Sequence, residues 1–186
     1  MNRVRALLLT AYLVMVIVGG VIYVQSVSNM ILYTEADQQF PSGIRVDEML
    51  IPRYAGVQDY SVRCNFSFEN SAGVPIRLRA FSFDVAVDNG SAGDKYDETR
   101  LLAEKIGGAA DSLGDAGPLI NPGETLIQSF AMLVKAADSS LLNHLNANGN
   151  YTVIIYGMAV SYGYPGTSLN RQFWPAVITL EVVPVD

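Results

Sequence analysis

"CNFSFENSAGVPIRLRAFSFDVAV", Cys64 to Val87, is the stretch on which the fold turns. Its first half continues an alternation that begins at Tyr60. Val62, Cys64, Phe66 and Phe68 share one phase, and Arg63, Asn65 and Ser67 share the other. A period of two with one apolar phase is the pattern of a strand with one wet side. "ENSAGVP" follows as a turn, punctuated by Gly73 and Pro75. From Ile76 to Val87 the alternation resumes. Ile76 and Leu78 hold one phase, and Phe81, Phe83, Val85 and Val87 hold the other. The slip near Ala80 predicts a β-bulge, or a strand that passes from one sheet to another.

The same reading extends in both directions. Ile44 to Ile51 is a candidate first strand ended by Pro52, and Tyr54 to Gln58 is a turn. Thr125 to Val134 alternates after the turn "INPGET", Tyr151 to Tyr162 is a long strand, and "GYPGTS" turns the chain into a last strand from Phe173 to Val183. "DSSLLNHLNANG" reads as one short helix, with Asp138 or Ser139 as its cap and Gly149 as its stop. The region from Asp88 to Glu124 is rich in glycine, alanine and acid. Within it, "DETRLLAEKIGG" is either a helix capped by Asp97 and stopped by Gly107 or an edge strand. Several strands separated by turns, with one short helix, predict a mainly β protein built as a β-sandwich.

With 186 residues, half of them hydrophobic and 16% charged, the chain has material for one core and a membrane segment besides. A net charge of −6 repels phosphate backbones, so no nucleic-acid partner is expected. Cys64 is the only cysteine, which excludes an intramolecular disulfide and a multi-cysteine metal site. It falls on the apolar phase of its strand and is expected to be a buried, inert thiol.

The chain opens "MNRVRALLLTAYLVMVIVGGVIYVQSVSN". Arg3 and Arg5 precede nineteen uncharged residues, Ala6 to Val24. At about 1.5 Å per residue such a helix covers the hydrocarbon core of a bilayer. The two arginines bias the N-terminus toward the cytoplasm, and Tyr12 and Tyr23 add aromatic character. The rival reading is a cleaved signal peptide with Val24 and Ser26 before the cut, but its apolar core is ordinarily shorter. Either way the domain lies on the extracytoplasmic side. Gly19-Gly20 lacks the spacing of a helix-dimer motif. The expected organisation is a cytoplasmic tip and transmembrane anchor over 1–27, a polar stalk over 28–42, and an extracytoplasmic domain over 43–186.

A strand ending in an asparagine turn, then "VPIRLRAFSFDVAV", "INPGET", a short helix and "YTVIIYGMAVSY", resembles the type-2 late embryogenesis abundant domain, also called the water-stress and hypersensitive-response domain. The resemblance covers about Val46 to Val183. That family usually has proline directly after the turn asparagine, where Ser71 stands here, and a shorter connection than 88–119. The resemblance implies an immunoglobulin-like or fibronectin-like sandwich, often tethered by one N-terminal helix. It implies a stress-protection, binding or accessory role and supplies no catalytic residue to carry over.

The chemistry-bearing residues point the same way. His144 is the only histidine and builds no typical zinc site alone; no nucleophile-elbow motif accompanies it. Asp88, Asp94, Asp97 and Glu98, with Asp111 and Asp115, read as a solvated acidic surface, with a loose divalent-cation site as the alternative. No catalytic residue, cofactor or metal ligand is therefore assigned. Asn65, Asn89 and Asn150 open Asn-x-Ser/Thr sequons and are candidate glycosylation sites. Tyr156 and Tyr162 share a strand phase with Ile154, Met158 and Val160, and are expected in the core. Tyr164 and Trp174, near the turn, are candidate partner contacts.

The function expected from these features is a membrane-anchored, non-catalytic binding, scaffolding or accessory module. It would touch the bilayer through residues 6–24 and a membrane or cell-surface protein through its sandwich. The alternatives are a lipid or small apolar ligand held in a pocket lined by Phe81, Phe83, Phe130 and Met132, or stress protection by family analogy.

Overall fold

A computed structural model describes residues 2–51, 60–88, 103–134 and 151–182. Among these residues, one helix, α1 (Asn2–Gln39), is followed by a 3-10 turn (Phe40–Gly43) and, with a second 3-10 turn at Gly114–Ala116 among them, nine strands. These are β1 (Ile44–Leu50), β2 (Tyr60–Glu69), β3 (Ile76–Asp88), β4 (Ala103–Ser112), β5 (Leu119–Ile120), β6 (Thr125–Val134), β7 (Tyr151–Gly163), β8 (Asn170–Phe173) and β9 (Ile178–Val182). They form two antiparallel sheets. The smaller runs β1-β2-β6. In the larger, β3 and β7 are central; β4 and β5 lie end to end along one side of the pair, and β8 and β9 along the other.

The alternation read from sequence is what places the core. Val62, Cys64, Phe66 and Phe68 of β2 are fully buried, as are Ile76, Leu78, Val85 and Val87 of β3. The pairing of β3 with β7 shifts register between Leu78 and Ala80, where the sequence phase slips. The extra residue turns both apolar sets of β3 toward the same interior. Phe66 sits at the centre, with ring centroids 4.7 Å from Phe81, 4.8 Å from Phe83 and 5.8 Å from Phe130.

Asn70 fastens the turns at one end. It is fully buried. Its Nδ2 donates to the carbonyls of Val74 and Ile120, both at 2.9 Å, and its Oδ1 accepts from the Ala72 amide. The 121–124 turn closes with Gly123 at φ 79°, a conformation that glycine enters without a Cβ penalty.

Two expectations are corrected, and one alternative is decided. The last strand is two: β8 ends at Phe173 and β9 starts at Ile178, paired with β7 in separate registers. Pro175 lies between them and has no N–H for a ladder. In "DETRLLAEKIGG", left open between helix and edge strand, residues 103 onward are the edge strand, with β4 paired to β3 from Asp88↔Ala103 to Ala80↔Ser112. The segment 28–39, expected as a stalk, continues α1 without a break, and Ala36 and Phe40 belong to the core. The short helix expected around 138–149 lies outside the described residues.

Candidate functional site

The most developed polar constellation joins the foot of α1 to the larger sheet. Positions 33, 36, 37 and 40 recur at helical spacing and meet the sandwich. Ala36 and Phe40 are fully buried, and Tyr33 packs on the core. The Asp37 carboxylate is the hub. Its Oδ1 accepts from the Tyr164 hydroxyl at 2.6 Å and the Tyr162 hydroxyl at 2.8 Å. Its Oδ2 accepts from Arg171 Nε at 2.8 Å. The Tyr33 carbonyl lies 3.0 Å from the Tyr164 hydroxyl as a second acceptor. The Phe40 ring stands 4.9 Å from that of Tyr162 and 6.5 Å from that of Phe173.

Burial pushes both phenols above the ordinary tyrosine range, and the hydrogen bond to Asp37 adds to it. They therefore remain protonated donors. The bond to Asp37 also raises the Arg171 guanidinium. Both carboxylate oxygens are taken by this chain's own donors, so the cluster is a clasp rather than a poised acid or base.

Tyr164, expected as an exposed partner contact, is 1% exposed. Its turn folds back onto α1, and the clasp consumes its hydroxyl. Trp174 is 70% exposed. Ile127 and Leu133, on the outer face of β6, are also exposed, and among the described residues β6 pairs with β2 alone. Phe81, Phe83, Phe130 and Met132 are buried against the rest of the core. The three rings lie within 5.7 Å of one another, so these side chains fill the space between the sheets rather than line an opening.

Asn65 lies half-buried on the outer face of β2, its Nδ2 donating to Glu48 Oε2 at 3.1 Å. Asn89, Asn150, His144, Asp94, Asp97 and Glu98 lie outside the described residues. Asp115 pairs with Arg79 at 3.2 Å, and Asp111 is exposed. Among the described residues no three histidine, cysteine or acidic side chains gather closely enough to hold a metal. Cys64 is buried, and burial raises its thiol to about 12.

A shallow groove of about 310 Å³ crosses the outer face of the larger sheet, lined by Ser82, Asp84, Gly108, Ala110 and Gly157 among others. The clasp is the feature that sequence reading missed. Asp37 stood in a segment read as polar stalk, and its partners are 125 to 134 residues away. The available signal was the spacing of Tyr33, Ala36, Asp37 and Phe40, which marks one helix face continuing past the anchor.

No family model matches the chain, and no curated protein matches it. Among solved structures, a protein from Archaeoglobus fulgidus matches with 10% identity and a TM-score of 0.41, over 76% of this chain and 98% of that one. A protein from Arabidopsis thaliana matches with 10% identity and a TM-score of 0.45, over 77% of this chain and 82% of that one. A β-glucosidase from Kluyveromyces marxianus matches with 12% identity and a TM-score of 0.31, over 76% of this chain but only 15% of the enzyme. At these scores and identities nothing is carried over from them.

Proposed function

We propose that the chain is a single-pass, membrane-anchored and non-catalytic module whose sandwich binds a membrane or cell-surface protein on the extracytoplasmic side. The observation that carries this reading is the continuity of α1. The helix is long and apolar enough to cross a membrane, and the same helix and the 3-10 turn that follows it enter the sandwich core through Ala36 and Phe40, with Asp37 clasped beside them. A helix clasped in this way presents the domain at a fixed place beside the bilayer. Confinement to that surface raises its effective concentration toward membrane partners. Arg3 and Arg5 orient the N-terminus toward the cytoplasm. Trp174 and the apolar outer positions of β6, Ile127 and Leu133, are the contact surface this reading uses.

The test is affinity capture of the tagged full-length protein from gently solubilised native membranes, with a Trp174→Ser variant alongside. The reading expects a near-stoichiometric protein partner that the variant retains less well. A chain that purifies alone, or with lipid only, overturns it. Protease added outside intact cells should cut the sandwich and spare the N-terminal tip; the reverse pattern would invert the orientation.

A further inference from the structure

The uncharged part of α1 is longer than an apolar span requires. Between Arg5 and Glu35 there is no charged residue, a run of 29. At 1.5 Å per residue this is about 43 Å, close to the roughly 40–45 Å of a bilayer including its headgroups and well beyond the ~30 Å of its hydrocarbon core. The late part of the run also holds the exposed polar residues Gln25, Ser28 and Asn29, while two hydroxyls there are satisfied within the helix. Ser26 and Thr34 return their hydroxyls to the carbonyls of Ile22 and Met30, each at 2.8 Å.

The sandwich meets the helix before this run ends. A Cβ placed on Gly73 would lie 3.6 Å from Leu32 Cδ2, so the β2–β3 turn is against Leu32. The Tyr164 turn is stacked on Tyr33. When the whole uncharged run 6–34, rather than the apolar stretch 6–24 alone, is centred in the bilayer at Gly20, Tyr33 stands about 20 Å from the midplane, which is the level of the headgroups. The turns touching Leu32 and Tyr33 are then at that level too.

The composition of this pole fits such a neighbour. Three turns form it: 70–75 ("NSAGVP"), 121–124 ("NPGE") and 164–169 ("YPGTSL"). They hold one charged residue, Glu124, in a chain with 18 acidic and 12 basic residues. That carboxylate accepts from the Asn121 amide and Nδ2, both at 2.9 Å. Of the charges just behind the pole, Arg171 pairs with Asp37 at 2.8 Å, Arg79 with Asp115 at 3.2 Å and Arg45 with Glu69 at 3.7 Å, Arg77 donates to the Gly117 carbonyl at 2.7 Å, and Glu35 is exposed. An acidic domain that presents its uncharged end avoids repulsion by anionic headgroups and the cost of stripping water from ions.

We propose that the pole formed by turns 70–75, 121–124 and 164–169 rests on the headgroup layer of the bilayer that α1 crosses, so that the sandwich stands directly on the membrane with no stalk between. This rests on the membrane-crossing reading of α1 given above. The occupant is the lipid surface itself, and the contact places the opposite pole, where Leu50, Val134 and Val182 end their strands, farthest from it.

The experiment is site-specific fluorescence quenching of the full chain in phosphatidylcholine vesicles. An environment-sensitive fluorophore is attached through Ser71→Cys or Ser168→Cys at the pole, Ser61→Cys roughly 30 Å away along β2, and Val16→Cys in the span. Native Cys64 is buried and does not compete for label. Each labelled protein is first shown to keep the parent's thermal transition. Nitroxide lipids carry the quencher at the headgroup or mid-chain. The proposal expects Val16 to be quenched by the mid-chain probe, and Ser71 and Ser168 by the headgroup probe at least threefold more than Ser61. Quenching at Ser71 and Ser168 no greater than at Ser61, with Val16 still quenched, overturns the proposal and leaves the membrane crossing intact. No quenching at Val16 overturns both.

Discussion

The ring of Tyr33 lies on that of Tyr164 with centroids 4.3 Å apart and planes 24° apart. The stack joins the foot of α1 to the turn after β7. Beside it, Asp37 receives two phenols and a guanidinium. A helix that sequence reading hands over to a polar stalk is thereby held as part of the sandwich.

Removing the hub should loosen this joint. Asp37→Ala leaves the Arg171 charge and the Tyr162 hydroxyl without their acceptor, and the Tyr164 hydroxyl with only the Tyr33 carbonyl. Hydrogen bonds to a charged group contribute about 1.5–3 kcal/mol each when buried. The Asp37 and Arg171 side chains are 26% and 44% exposed, so solvent screening reduces the total to roughly 2 kcal/mol. Tyr164→Phe keeps the stack and should cost about 1 kcal/mol. Thermal unfolding in detergent ranks the two, and limited proteolysis should reveal a new cut between Gln39 and Ile44 in Asp37→Ala only. Equal stability of all three proteins would contradict the clasp.

Asn70 should tolerate neither loss nor charge. Asn70→Asp replaces two donated hydrogen bonds with a carboxylate facing the carbonyls of Val74 and Ile120. The expected loss is about 2–4 kcal/mol near neutral pH. Protonating the new carboxyl returns one donor, so the variant should recover part of its deficit relative to the parent between pH 6 and 4 (about two pH units spanning the carboxyl range). A deficit independent of pH would show that the donors are not what matters.

Phe66 should be the most sensitive core position. It meets Phe68, Phe81, Phe83 and Phe130 and is fully buried. Phe66→Ala removes the ring at the centre of both sheets and should destabilise by about 3–5 kcal/mol. Trp174→Ala, at an exposed site, should stay within about 0.5 kcal/mol. Chemical denaturation of the two variants separates core from surface.

Alkaline pH should unfold the protein. Burial raises the Cys64 thiol from 9.0 to about 12 and lifts the phenols of Tyr162 and Tyr164 as well. Groups whose folded values are raised give full stability below their unfolded values and lose it as pH climbs toward the folded ones. Stability attributable to Cys64 should therefore hold to about pH 9 and fall above it. In Cys64→Ala the decline should start nearer pH 10, where free tyrosines ionise. A flat midpoint from pH 8 to 11 would refute the assignment. Thiol reagents should leave Cys64 untouched until the chain unfolds.

Much of the sandwich was legible because its strands alternate. β2 and β6 follow the sequence reading residue for residue, and the phase slip at Ala80 became a register shift. Pro175 lies between β8 and β9, and the pattern read as one strand from Phe173 to Val183 ran through it. β4 was legible only as one of two alternatives, because "EKIGGAADS" has small residues on both phases, and small residues carry no periodic signal. The clasp was illegible for another reason. One aspartate in a mixed segment acquires its meaning from tyrosines that topology delivers, and turn residues such as Tyr164 look exposed until the chain folds back on them.

The order of synthesis gives the clasp a further consequence. Asp37 is made early, and Tyr162, Tyr164 and Arg171 follow 125 to 134 residues later. The joint closes only after β7 and β8 exist, among the last elements of a nonlocal topology. Until then Tyr33, Ala36 and Phe40 have no sheet to cover them. A nascent or truncated chain thus carries a sticky helix foot at the membrane, and a finished one hides it. The joint reports completion, in a form that chaperones and proteases read as exposed apolar surface.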